Sequence, residues 1–134
     1  MAGERPARGR LDRLSAIVVV SDMARSVAFY RDTFGLPLKF ESPGWTELAT
    51  EGATLALHRG ESPPADASGM RRDQAGQCRP GLSVADLDGF HRLIVERNVR
   101  CAQAPIAAFG ARVAKYVDPD GLVIHVSEAR KAPS

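Results

Sequence analysis

The sequence predicts an α+β fold built from two βαβββ modules, and three observations predict it. Short strand-like runs and one helix-like run stand on each side of a segment, 60–76, that loses hydrophobic periodicity. The order of elements is the same in both halves. Letters repeat as well: Val20-Ser21-Asp22-Met23 matches Val84-Ala85-Asp86-Leu87, each opening a helix of about three turns. Four matching residues carry weight here only because the whole element order agrees around them. The expected organisation is a first module at 11–59, a linker at 60–76 and a second module at 77–128, with flexible tails at 1–10 and 129–134.

A chain of 134 residues accommodates one domain or two small packed modules with a useful core, and leaves little room for a separate cofactor domain. Its 18 basic and 16 acidic side chains give a formal charge of +2, too small to imply a nucleic-acid partner. Arg5, Arg8, Arg10 and Arg13 crowd the N-terminus and read as a solvated tail. No apolar run approaches the roughly 20 residues of a membrane span, and no signal-peptide core follows the arginines. A cytoplasmic protein is the expectation. Cys78 and Cys101 lack the spacing of a zinc site or a disulfide framework and read as packing residues in strands.

The first strand falls in 11–20, where Leu14, Ala16, Val18 and Val20 alternate with Ser15, Ile17 and Val19, so burial on both faces is expected. Ser21 or Asp22 caps a helix along which Met23, Val27, Tyr30 and Phe34 recur, and Gly35 and Pro37 stop it. Strands follow at 38–41, 45–49 and 54–58, separated by Ser42-Pro43-Gly44 and Glu51-Gly52. The linker contains Pro63-Pro64 and Arg71-Arg72-Asp73. After it come a strand at 78–84, a helix capped by Asp86 with Leu87, Phe90, Leu93 and Ile94 on one face, and Asn98 as its C-terminal cap. Strands at 100–104, 112–117 and 122–128 complete the second half. Between the last two, Asp118-Pro119-Asp120-Gly121 is a tight turn: Pro119 fixes φ, Asp118 bonds back to the backbone and Gly121 tolerates positive φ.

That turn, the following strand with His125, and the stretch from Ser21-Asp22 to Phe29-Tyr30 resemble the vicinal oxygen chelate superfamily of glyoxalases, bleomycin-resistance-type binding proteins and extradiol dioxygenases. The resemblance runs from about residue 11 to residue 128. It implies that the two modules pair their sheets into an open, cupped mixed β-barrel, with helices outside and a ligand cavity inside. Metal-dependent members carry ligands on the first and last strands of each module, so that side chains converge on a divalent ion. Carried over residue by residue, those positions are Ser15, Ala56, Arg79 and His125. Ser15 is a poor neutral ligand, Ala56 is none, and Arg79 is a permanent cation. A slip of one at Arg79 would bring in Cys78. A metal would have to recruit His58, on the same face as Ala56, beside His125, and two histidines without a carboxylate do not make the two-His-one-carboxylate triad.

No metal or other cofactor is therefore expected. The candidate ligand-binding set is Ser15, Trp45, His58, Arg79, Phe109, Tyr116 and His125, which offers aromatic faces and a few polar groups to a planar guest. Core packing accounts for Trp45 equally well, a solvent-facing strand end for Arg79, and a hydrogen-bonded cavity histidine for His125. Ser15 and Ser83 show no attendant base, and no glycine-rich phosphate loop follows a strand. The expected function is metal-free binding of a small molecule, such as an aromatic drug or metabolite, as in bleomycin-resistance-type sequestration. The alternative is a lyase, isomerase or dioxygenase of the same superfamily with a divergent metal site or with acid–base chemistry at His125. A homodimer is expected, because members commonly pair modules across two chains and each sheet has edges to cover.

Overall fold

The structure, a computed structural model, describes residues 9, 11, 13–66, 73, 75–108 and 110–128. The first half runs β1 (Ser15–Val20), α1 (Met23–Val27), β2 (Leu38–Glu41), β3 (Trp45–Ala49) and β4 (Thr54–Arg59). The second runs β5 (Gly81–Val84), α2 (Leu87–Glu96), β6 (Arg100–Ala108), β7 (Ala111–Val117) and β8 (Val123–Glu128). Each half forms one four-stranded mixed sheet, of order β1-β4-β3-β2 and β5-β8-β7-β6, and neither sheet closes into a barrel. The repeat extends to the register. Ile17 pairs with Ala56 as Gly81 pairs with His125, each three residues before Val20 or Val84.

Both helices start where the sequence places them, for an identifiable reason. The Asp22 carboxylate accepts from the Arg25 N–H at 3.1 Å, and Asp86 accepts from the Gly89 N–H at 3.0 Å. The first helix widens after Val27 into a π-helical segment, Ala28–Thr33, closed by Phe34 N–H donating to the Phe29 carbonyl at 2.9 Å. Asn98 ends α2 with a φ of 61°, and Gly121 has a φ of 91° in its turn.

The core lies on the helix-bearing side of both sheets and joins the two halves. Val18, Val20, Val27, Tyr30, Leu48 and Leu57 from the first half cluster with Leu87, Ile94, Tyr116, Ile124 and Val126 from the second. Phe34 meets Phe90 edge-to-face at 5.5 Å. Polar contacts reinforce the join. Tyr30 Oη donates to Asp118 Oδ2 at 2.7 Å in a buried contact, and Arg97 donates to the Asp32 and Thr33 carbonyls at 3.2 and 2.6 Å. Asp120 accepts from the Ser21 N–H at 3.0 Å, from the Ser21 hydroxyl and from Arg25 Nη2 at 3.2 Å. The turn that closes the second sheet is thus fastened to the start of the first helix.

Two expectations need correction. The strand β1 is buried on one face only, with Ile17 and Val19 58% and 57% exposed, because the helices of this chain cover only the opposite side. Cys78 and Cys101 are exposed free thiols rather than packing residues; Cys78 precedes β5, and Cys101 occupies an exposed position on β6, an edge strand. Smaller differences concern bounds: β6 runs to Ala108, β5 starts at Gly81, and Leu93 is partly exposed although it lies on α2. Among the described residues no helix is long and apolar enough to cross a membrane.

Candidate functional site

The uncovered sheet faces carry Ser15, Trp45, His58 and His125, because alternation along each strand sends the core set one way and these side chains the other. On the first sheet one rung reads Ile17, Ala56, Glu47 and Phe40; on the second, Gly81, His125 and Lys115 align across β5, β8 and β7, with Gln103 beyond. Among the described residues, three hollows lie on or beside these faces.

A cavity of about 620 Å³ lies where β1 comes beside the residues leading into β5. Ile17, Val19, Pro63, Pro64, Pro80 and Leu122 supply apolar wall, and Ser15, Glu61, Arg79 and Asp120 supply polar groups. This seam draws on both modules and on the intervening segment. A second hollow, of about 460 Å³, opens over the first sheet among Ser15, Lys39, Trp45, Glu47 and Thr54. The third is formed by Asp73, Gln77, Arg79 and His125.

Electrostatics in the third hollow are set by two cations sharing Asp73. Arg79 pairs with the Asp73 carboxylate and donates to Gln77 Oε1 at 3.0 Å, while Lys115 Nζ approaches Asp73 at 3.4 Å. These donors hold the Asp73 carboxyl below the usual range, Arg79 contributing most. The His125 imidazole is held below the ordinary histidine value, first by burial and then by the Lys115 and Arg79 charges, with Asp73 opposing. It is therefore neutral around neutral pH.

The structure brings together only some of the predicted set. Ser15 lines both the seam and the hollow over the first sheet, and Arg79 lines the seam and the third hollow beside His125. Trp45 donates from Nε1 to Glu47 Oε2 at 2.9 Å and lies beside His58, ring centroids 6.0 Å apart. His58 is exposed and lines none of the three hollows. Tyr116 points the other way. It is fully buried in the shared core, its hydroxyl 2.9 Å from His91 Nδ1, and burial pushes its phenol up to about 12. Phe109 lies outside the described residues.

The four positions at which relatives would hold a metal do not fit one here. Ala56 has no donor, Ser15 is a weak neutral one, the Arg79 guanidinium has no electron pair to donate, and Asp73, the carboxylate in the same hollow as His125, is already held by Arg79 and Lys115. Among the described residues no three His, Cys, Asp or Glu side chains converge. Sequence reasoning missed Asp73, Lys115, Glu47, Lys39 and the Pro63-Pro64 wall; alternation with Ala114 and Tyr116 was the available signal for Lys115.

Residues 10–126 match the profile of the Glyoxalase/Bleomycin resistance protein/Dioxygenase superfamily. The chain belongs to that superfamily. Among solved structures it is similar to TnmS3, an antibiotic binding protein from Streptomyces sp. CB03234, at 27% identity over 90% of this chain and 97% of that one, with a TM-score of 0.66. It is also 27% identical to a protein of unknown function from Agrobacterium tumefaciens, over 90% and 95% of the two chains, with a TM-score of 0.70. A glyoxalase/bleomycin resistance protein/dioxygenase from Alicyclobacillus acidocaldarius, 16% identical over 90% and 92%, shares the fold with a TM-score of 0.68. No curated protein matches the chain.

Proposed function

We propose that this superfamily member is a metal-free small-molecule-binding protein that sequesters an apolar, partly aromatic compound in the seam cavity. The observation that carries this reading is the cavity itself: its volume of about 620 Å³ falls in the range of ligand sites, and its wall is apolar with few polar groups. The unsuitable metal positions and the likeness to an antibiotic binding protein support it. Most affinity comes from burying the guest's surface, at roughly 25 cal/mol per Å² before entropic costs. Arg79, whose charge Asp73 and Gln77 already engage, orients the guest rather than attracting it from afar.

The test is calorimetric titration of a panel of aromatic natural products against the wild type and Ile17→Asp. Ile17 is an exposed wall residue, so the fold tolerates the change, while a carboxylate there opposes an apolar guest. Binding to the wild type that weakens at least tenfold in the variant is expected. If no compound binds, or Ile17→Asp leaves every affinity intact, the reading fails.

A homodimer acting in the cytoplasm belongs to the same proposal. Phe40 on the edge strand β2 and Ile106 on the edge strand β6 are exposed, and a second copy would cover these apolar edges. A monomer by light scattering at micromolar concentration would contradict the dimer.

A further inference from the structure

We infer that the ligand is bipartite, with an apolar aromatic body in the seam cavity and a neutral, hydroxylated, sugar-like appendage lying over Trp45. This rests on the binding function proposed above and names the chemical class. Two hollows of opposite character meet at one residue. Ser15 lines both the seam and the hollow over the first sheet, so one molecule rounding β1 occupies both.

The second hollow is built for hydroxyls. Lys39 Nζ lies 3.7 Å from Glu47 Oε1 and 3.5 Å from Thr54 Oγ1, and Glu47 Oε2 accepts from Trp45 Nε1. An ammonium has three donors, a carboxylate about four acceptor sites, and a hydroxyl one donor and two lone pairs, so these contacts leave capacity of both kinds. The indole is held by Glu47 and lies beside His58, and this fixed position lowers the ordering cost of binding.

The alternatives suit the hollow less well. A purely aromatic guest would bury Lys39 and Glu47 without replacing their water, a cation meets Lys39 and Arg13, which also lines the hollow, and an anion, although it would gain those two cations, meets Glu47. A sugar ring avoids all three costs. Its hydroxyls donate and accept, and its C–H face packs on the indole.

The experiment titrates quercetin, emodin and esculetin, each against its own O-glucoside, by calorimetry with the wild type, Trp45→Ala, Trp45→Phe and Ile17→Asp. For the wild type, at least one glucoside binds about tenfold or more tighter than its aglycone. Trp45→Ala removes that advantage and changes aglycone affinity by less than about twofold; Trp45→Phe, which keeps a ring, retains part of it, and Ile17→Asp weakens both members. Aglycones that bind while no glucoside gains, or a Trp45→Ala loss equal for both members, overturn the bipartite ligand and leave the seam reading standing. If no pair binds, the seam reading and this inference fall together. Should Trp45→Ala not fold, Glu47→Ala at its half-exposed position must remove the same advantage.

Discussion

Tyr30→Phe isolates the polar contact on which the joined core depends. The substitution deletes one oxygen and no ring, so packing with Phe29 and Phe34 is kept while Asp118 loses the donor 2.7 Å away. Asp118 Oδ1 still accepts from the Asp120 and Leu122 backbone N–H groups at 2.9 and 2.8 Å, but Oδ2 loses this buried donor. A hydrogen bond to a charged group contributes roughly 1.5–3 kcal/mol, so the variant is less stable by about that amount near neutral pH.

The loss also depends on pH, with a sign the structure fixes. Burial raises the Asp118 carboxyl, against the lowering bonds from Tyr30, Leu122 and Asp120. A carboxyl that titrates higher folded than unfolded contributes stability that is complete below the unfolded value and lost as pH rises through the folded one. Deleting Tyr30 Oη removes a lowering bond and raises the folded value further. The gap between wild type and variant is therefore widest near neutral pH and narrows as pH falls through the Asp118 titration. Urea unfolding at several pH values measures both quantities. A neutral-pH difference below about 0.5 kcal/mol, or one that widens in acid, would refute the reasoning.

Other parts of the molecule can be tested separately. Protein loaded with zinc, nickel, iron or manganese retains no stoichiometric ion after desalting, by elemental analysis; one ion per chain, lost in His125→Ala, would show a metal site. Asp120→Ala strips three contacts between the halves and lowers stability by about 1–3 kcal/mol in urea; an unchanged midpoint would mean that the turn does not fasten them. Asn98→Ala keeps the β-carbon at a φ of 61° but loses the short polar side chain that eases the left-handed conformation, and costs about 1 kcal/mol, whereas Asn98→Gly is tolerated; equal midpoints for the two would contradict the left-handed cap.

The fold was legible where local chemistry and periodicity agree. Asp22 and Asp86 can cap only a helix that begins immediately after them, Gly121 marks its turn, and the period-two runs delimit β2 and β3 to the residue. The single-faced burial of β1 was not legible. A run of β-branched residues reads the same whether a second layer covers it or a cavity lies beside it, since the pattern records the strand and not its neighbours. The π-helical widening left no local mark either, because Ala28–Thr33 has the apolar spacing of an ordinary helix.

The candidate site divides along the same line. Ser15 and His125 were named from the positions the family resemblance implies, and strand alternation agrees by assigning both to the uncovered face; the same alternation puts Tyr116, one residue beyond Lys115, in the core. Side chains brought in by irregular chain follow no period. Pro63 and Pro64 read as linker composition, yet they wall the seam; Asp73 reads as part of a charged run, yet it binds Arg79 and Lys115 together. That placement changes the chemistry expected of Arg79. A lone guanidinium in a cavity attracts anions, whereas one already paired with a carboxylate is a fixed donor with little net field. Under the proposed binding function, selection among guests falls to shape and to hydroxyl-compatible groups such as Lys39, Glu47 and Thr54, which no charge pattern in the sequence sets apart from ordinary surface.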